Sequence, residues 1–234
     1  MMKEALKQTA IALEGVSGVG KTTLCNNLAK ESDFTVIPEW TNLPDYSFRA
    51  EKAKLPPLTI DDARKGIDFF LSLENERVRC LNDEESKILI VDKTPAAIIA
   101  VEYALLRHGF PSDIKYLLER YSDTIRNNQS FPISGFIYLH YSSEAIFRTR
   151  AKVKAATQRD FFKSWNIIDK MQQGYEDFFS CIPPHRLLKI NAEESLENSM
   201  VEVLKFIKSI VQDDRPFSLT DSLEEMAKKY SIST

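Results

Sequence analysis

Gly15-Val16-Ser17-Gly18-Val19-Gly20-Lys21-Thr22 is the stretch on which the fold turns. It fits G-x-x-x-x-G-K-[ST], a pattern that marks a phosphate-binding loop when a strand precedes it and a helix follows. Both flanks are present: the apolar run Ala10 to Glu14 leads in, and a helical pattern runs on from Lys21 to about residue 31. Glycines let the backbone wrap an anion with its N–H groups, and the positive end of the following helix points at the same charge. Gly15, Val16, Ser17, Gly18, Val19 and Gly20 are therefore expected to cradle the phosphates of a nucleoside triphosphate, with Mg·ATP the expected ligand. Lys21 is expected to bridge the β- and γ-phosphates, Thr22 to offer its hydroxyl to Mg²⁺, and Thr23 to contact the α-phosphate side.

Outward from the loop, four more short apolar runs recur: Phe34 to Pro38, Lys87 to Asp92, Gly135 to Tyr141 and Arg186 to Asn191. Each is followed by a helical pattern, and that alternation predicts an α/β fold with a parallel sheet built from βαβ units. The predicted helices cover about residues 21 to 31, 60 to 82, 95 to 108, 112 to 127, 143 to 181 with breaks, and 194 to 212. The stretch Asn42 to Pro57 carries three prolines and no clear period, so it reads as a loop beyond the second strand. From Gln212 the chain turns polar, with Thr220 or Asp221 as a cap before a short amphipathic helix through Tyr230. The expected organisation is one domain over residues 1–211, with a lid over about 143–165 and a helical appendage over 212–234.

The chain has 234 residues, 43% hydrophobic and 28% charged, which places it among ordinary globular proteins. A formal net charge of -3 gives no global basic field, so a broad nucleic-acid footprint is not expected. Cys25, Cys80 and Cys181 are odd in number and far apart, and they read as reduced thiols. No apolar run approaches the roughly 20 residues that span a bilayer. A cytoplasmic protein without membrane partners is expected.

Asp92 closes four apolar residues, so a buried strand would deliver one carboxylate beside the loop, where it can hold Mg²⁺ directly or through water. Arg148, Arg150, Lys152, Lys154 and Arg159 crowd one basic segment, too closely spaced for all to share one helical face. Phosphoryl transfer needs cations over the γ-phosphate, and a planar guanidinium can bind two of its oxygens at once. At least one of Arg148, Arg150 and Arg159 is expected to do this, with Arg148 and Arg150 the catalytic candidates. The chain carries no N-K-x-D guanine-reading motif, no D-x-x-G switch after the third strand and no L-S-G-G-Q signature. These absences argue against GTPases and ABC ATPases.

Ile11-Ala-Leu-Glu-Gly-Val-Ser-Gly-Val-Gly-Lys-Thr-Thr23 resembles the first strand and loop of thymidylate kinases and deoxynucleoside kinases. Later features keep the same order: Glu39-Trp40 after the second strand, Glu76-Arg77 on the long helix, Asp92-Lys93 after the third strand, and the basic segment as an arginine-bearing lid. The resemblance implies a P-loop three-layer sandwich with strand order 2-3-1-4-5 and transfer of the γ-phosphoryl group of ATP to a small acceptor. Glu39 would be a general base or an orienting carboxylate, while Glu39, Trp40, Arg77 and Arg159 would bind the acceptor. Two departures stand out: Lys93 replaces the usual Arg, and no Arg-Glu-Pro-Gly segment follows strand two. A nucleoside monophosphate is the first expected acceptor and a deoxynucleoside the second. An ATP-dependent regulatory module is the reading from another class, and a homodimer is the assembly considered.

Overall fold

A computed structural model describes residues 9–44, 46, 49, 55–81, 88–154 and 160–232, with the side chains of 151–161 and 232 outside the description. Five strands, β1 (Thr9–Glu14), β2 (Phe34–Ile37), β3 (Ile88–Asp92), β4 (Ile133–His140) and β5 (Leu187–Asn191), form one parallel sheet in the order β2-β3-β1-β4-β5. This is the order that the resemblance implies. Ala10 to Leu13 of the central strand are wholly buried. A strand covered on both faces reads as a continuous apolar run and not as an alternating one.

Helices α1 (Lys21–Leu28), α2 (Ile60–Cys80), α3 (Ala96–Arg107), α4 (Ile114–Arg126), α5 (Glu144–Lys154), α6 (Trp165–Phe179), α7 (Leu196–Val211) and α8 (Leu219–Ile232) surround the sheet. Short polar side chains start several of them: Thr59 accepts from the Asp62 amide, Asp113 from Tyr116 and Ser195 from Asn198. Helices α3 and α6 pack tightly, and a Cβ at Gly174 would stand 3.0 Å from the Ala100 Cα. The predicted break in the 143–181 stretch falls between α5 and α6, where residues 155–159 lie outside the description.

Helix α8 docks on α4. It buries Leu219, Leu223 and Met226, and Arg126 bridges to Glu224 at 2.5 Å. Tyr230 donates to Asp177 on α6 at 2.6 Å, so the polar tail is sewn to two helices. No helix among the described residues is long and apolar enough to cross a membrane.

Candidate active site

The loop between β1 and α1 is held by backbone geometry. Gly15 adopts φ 139°, and a Cβ there would stand 2.3 Å from the Leu139 carbonyl oxygen, a distance no side chain survives. Gly20 caps α1 in the left-handed region at φ 118°. Lys21 opens α1 and folds back over the loop, its ammonium donating to the carbonyls of Gly15 at 2.7 Å and Val16 at 3.0 Å. Burial and the nearby Lys93 charge pull Lys21 down to about 8, against the attraction of Asp92, Glu39 and Glu14. The loop lysine is thus preset where phosphate oxygens would replace carbonyl oxygens.

Parallel pairing brings the ends of β2 and β3 beside the loop. Glu39 follows β2 and Lys93 follows β3, and their side chains form an ion pair at 2.6 Å. Burial alone would raise Glu39, but the Lys93 charge, the hydrogen bonds from Lys93 and Thr41, and Lys21 outweigh it and hold the carboxyl at about 2. Lys93 sits at φ 59°, a left-handed conformation that costs a non-glycine residue about 1–3 kcal/mol. Its amide donates to the Leu13 carbonyl at 3.1 Å, which ties the strained turn to β1.

Asp92 is buried at the end of β3, and its Oδ1 has no hydrogen-bond partner among the described residues. Burial raises its pKa, and the Glu39 charge adds to that, while Lys21, Lys93 and Arg77 oppose it. An orphaned buried carboxylate oxygen is rare and asks for a reason. A nucleotide-bound Mg²⁺ fits, since the Thr22 hydroxyl is exposed at the first turn of the neighbouring α1. Thr23 is exposed in the same turn.

Arg77 occupies a different place from the one expected. It is buried on α2, donating to the carbonyls of Lys93 at 2.8 Å and Asp92 at 3.2 Å and to Glu74 at 3.1 Å. The guanidinium clamps the strained end of β3 from behind and is absent from the lining of the cavity described below. Glu74 is fully buried and raised by that burial, against the Arg77 charge and the bonds from Trp40 and Ser130. The basic segment also divides. Arg148 pairs with Glu144 of its own helix at 2.5 Å and is largely exposed. Arg150 instead donates to the Val19 carbonyl at 3.0 Å and to the Ala192 carbonyl, bridging the phosphate loop to the segment after β5. Arg159 lies outside the described residues, as do the side chains of Lys152 and Lys154.

A carboxyl group with no motif of its own and a cavity complete the site. Glu14, the residue before the loop, accepts from the Thr94 amide at 2.7 Å and hydroxyl at 2.6 Å and from the Tyr175 hydroxyl at 3.1 Å. Burial pushes this carboxyl up to about 7 against those bonds and the Lys21 charge. A cavity of about 590 Å³ opens between the loop and helices α2, α3 and α6. Glu39, Trp40, Thr41 and Lys93 line it near Ser17 of the loop, and Phe70 packs against the Trp40 ring at 5.5 Å.

The family model described as Deoxynucleoside kinase matches residues 11–212. The chain belongs to the deoxynucleoside kinase family. It is a P-loop kinase and therefore a phosphotransferase. Among solved structures it is similar to deoxyadenosine kinase from M. mycoides with products dCMP and dCDP bound, at 15% identity and TM-score 0.59, covering 86% of this chain and 100% of that one. It is also similar to thymidylate kinase from Candida albicans, at 14% identity and TM-score 0.62, covering 87% of this chain and 92% of that one. A comparison with curated sequences finds no match. At these identities the solved structures speak for the fold alone.

Lys21 and Arg77 should separate cleanly in experiment. Lys21→Ala is expected to lower kcat by about 10²-fold or more with the chain still folded, because its partner in action is phosphate charge. Arg77→Ala is expected to cost about 3–5 kcal/mol in urea denaturation, because it strands Glu74 as an unpaired buried charge. A stable Arg77→Ala protein with only a raised acceptor KM would return Arg77 to the acceptor wall. A pH profile tests Lys21 in the parent: kcat/KM for ATP should fall by about tenfold per unit above pH 8, as the free lysine loses its proton. A profile flat through pH 9.5 would contradict the lowered value.

Proposed function

We propose that the protein transfers the γ-phosphoryl group of ATP to a hydroxyl of a deoxynucleoside. The observation that carries this reading is the charge of the acceptor cavity. Among the described residues its lining holds three carboxyl groups, Glu39, Asp62 and Glu102, and one cation, Lys93, which is already paired with Glu39. A nucleoside monophosphate would bring a dianionic phosphate into that surface, against several acidic groups and with no guanidinium among the described lining residues to receive it. An uncharged nucleoside meets no such penalty. Membership of the deoxynucleoside kinase family supports the same substrate class. The sequence puts a nucleoside monophosphate first; in this proposal it stands second, with the cavity charge as support.

In this reading the Gly15–Gly20 amides and Lys21 receive the phosphates of ATP, and Arg150, anchored at both ends of the nucleotide cleft, adds positive charge there. Thr22 and Asp92 are the residues that would hold Mg²⁺. The ion supplies neutralisation of the oxygens that gain charge during transfer. Glu39 accepts a hydrogen bond from the acceptor hydroxyl and aims it at the γ-phosphorus. Held at about 2, this carboxylate is a weak base, so its main contribution is orientation, with Lys93 keeping it ionised. Trp40 and Phe70 offer an apolar wall for the sugar and base.

The deciding experiment compares acceptors. With ATP saturating, kcat/KM for the best deoxynucleoside should exceed that for its monophosphate by at least about tenfold, the loss expected when a charged group is desolvated without a partner. A monophosphate that is used equally well or better would overturn the assignment.

A further inference from the structure

The cavity lining continues from Glu39 and Lys93 onto two helices, with Ala63, Gly66 and Ile67 from α2 and Ile98, Val101 and Glu102 from α3. Gly66 is the odd residue in this group. It sits inside a 21-residue helix, where glycine is unfavourable beside alanine. Its φ is not in the left-handed region, and a Cβ built on it would meet no described atom within 4 Å. Neither backbone conformation nor packing therefore calls for glycine, and the space its missing side chain leaves belongs to the cavity.

Glu102 stands one turn beyond Ile98 in the same lining. It is 5% exposed, and the Asp113 amide donates to its Oε2 at 3.2 Å. The Ser112 hydroxyl donates at 2.9 Å to the backbone carbonyl of Glu102, no cation among the described residues pairs with the carboxyl, and burial pushes it up to about 7. An ionised carboxylate offers about four acceptor positions, so the one amide donor that reaches Glu102 leaves it able to take another. A buried carboxylate with acceptor capacity to spare, in a cavity beside a cleared helix face, is a hydrogen-bonding end for a ligand.

We infer that Glu102 selects the base of the acceptor by accepting a hydrogen bond from an exocyclic amino group, with the planar base seated against Gly66. This rests on the cavity being the nucleoside site and deepens that reading by naming the base class. Adenine and cytosine carry an amino donor where hypoxanthine and thymine or uracil carry a carbonyl oxygen. A carbonyl facing the ionised Glu102 carboxylate sets acceptor against acceptor.

The test uses pairs that differ at that group: deoxyadenosine with deoxyinosine, and deoxycytidine with deoxyuridine. The parent should prefer the amino member by at least about tenfold in kcat/KM. Glu102→Gln presents a donor as well as an acceptor and should bring each ratio to within about threefold, with KM for ATP unchanged. A parent without the preference, or ratios unchanged in Glu102→Gln, would overturn the inference. Gly66→Leu supplies a second arm: it should raise acceptor KM by about tenfold or more without lowering the melting temperature, since leucine is the better helix former. An unchanged acceptor KM in that variant also overturns it. Should the parent use only monophosphates, the proposed function fails, and the same ratios measured on dAMP, dIMP, dCMP and dUMP judge Glu102 on their own.

Discussion

Four charged side chains, Lys21, Glu39, Asp92 and Lys93, share a largely enclosed space at the carboxyl end of the sheet, and their charges must balance there. Isolated charges in such a place would neutralise by shifting their pKa values or would destabilise the fold. Here each is tuned by the others. Lys93 holds Glu39 ionised, while Lys21 has given up part of its basicity to burial and to the Lys93 charge beside it. Among the described residues, Asp92 keeps one oxygen without a partner. The set is electrically ready for an anion and a cation to arrive together.

The scaffold beneath this set explains how it stays in place. Gly15 allows the loop to lie on the Leu139 carbonyl of β4, and Glu14 binds Thr94 and Tyr175 directly under the loop. Arg77 does the same for β3 from the other side, with its charge spent on two carbonyls and on Glu74. The strained φ of Lys93 persists because its amide, its carbonyl and its ammonium are all bonded. Buried Glu14, Glu74 and Arg77 thus serve as supports beneath the set.

Much of this was legible in the residues alone. The phosphate loop announces itself because its chemistry needs glycines and a lysine at fixed spacing, and the five strands announce themselves as apolar runs between helical periods. Helix ends were less legible: the cap read as Thr220 or Asp221 is Ser218, whose hydroxyl accepts from the Asp221 amide at 3.2 Å. Arg77 misleads because its partners are backbone carbonyls 15 and 16 residues away, and backbone groups leave no side-chain pattern to read. Arg148 and Arg150 look alike in sequence, but only a helix whose orientation is known tells which of them returns to the loop. Glu14 was visible only as the residue before a motif, although its neighbour-by-fold Thr94 is 80 positions on. The Glu39–Lys93 pair needs the β2–β3 adjacency before it can be drawn at all.

The account stands on Glu39 and Lys93 acting as one unit toward the acceptor, and a double-mutant cycle measures that directly. Glu39→Gln, Lys93→Met and the double variant would be compared by kcat/KM for the best acceptor at saturating ATP. If the pair is one device, the double variant loses far less than the product of the single losses, with a coupling of about 1–3 kcal/mol. Losses that multiply would mean that the two residues act independently and would contradict the account.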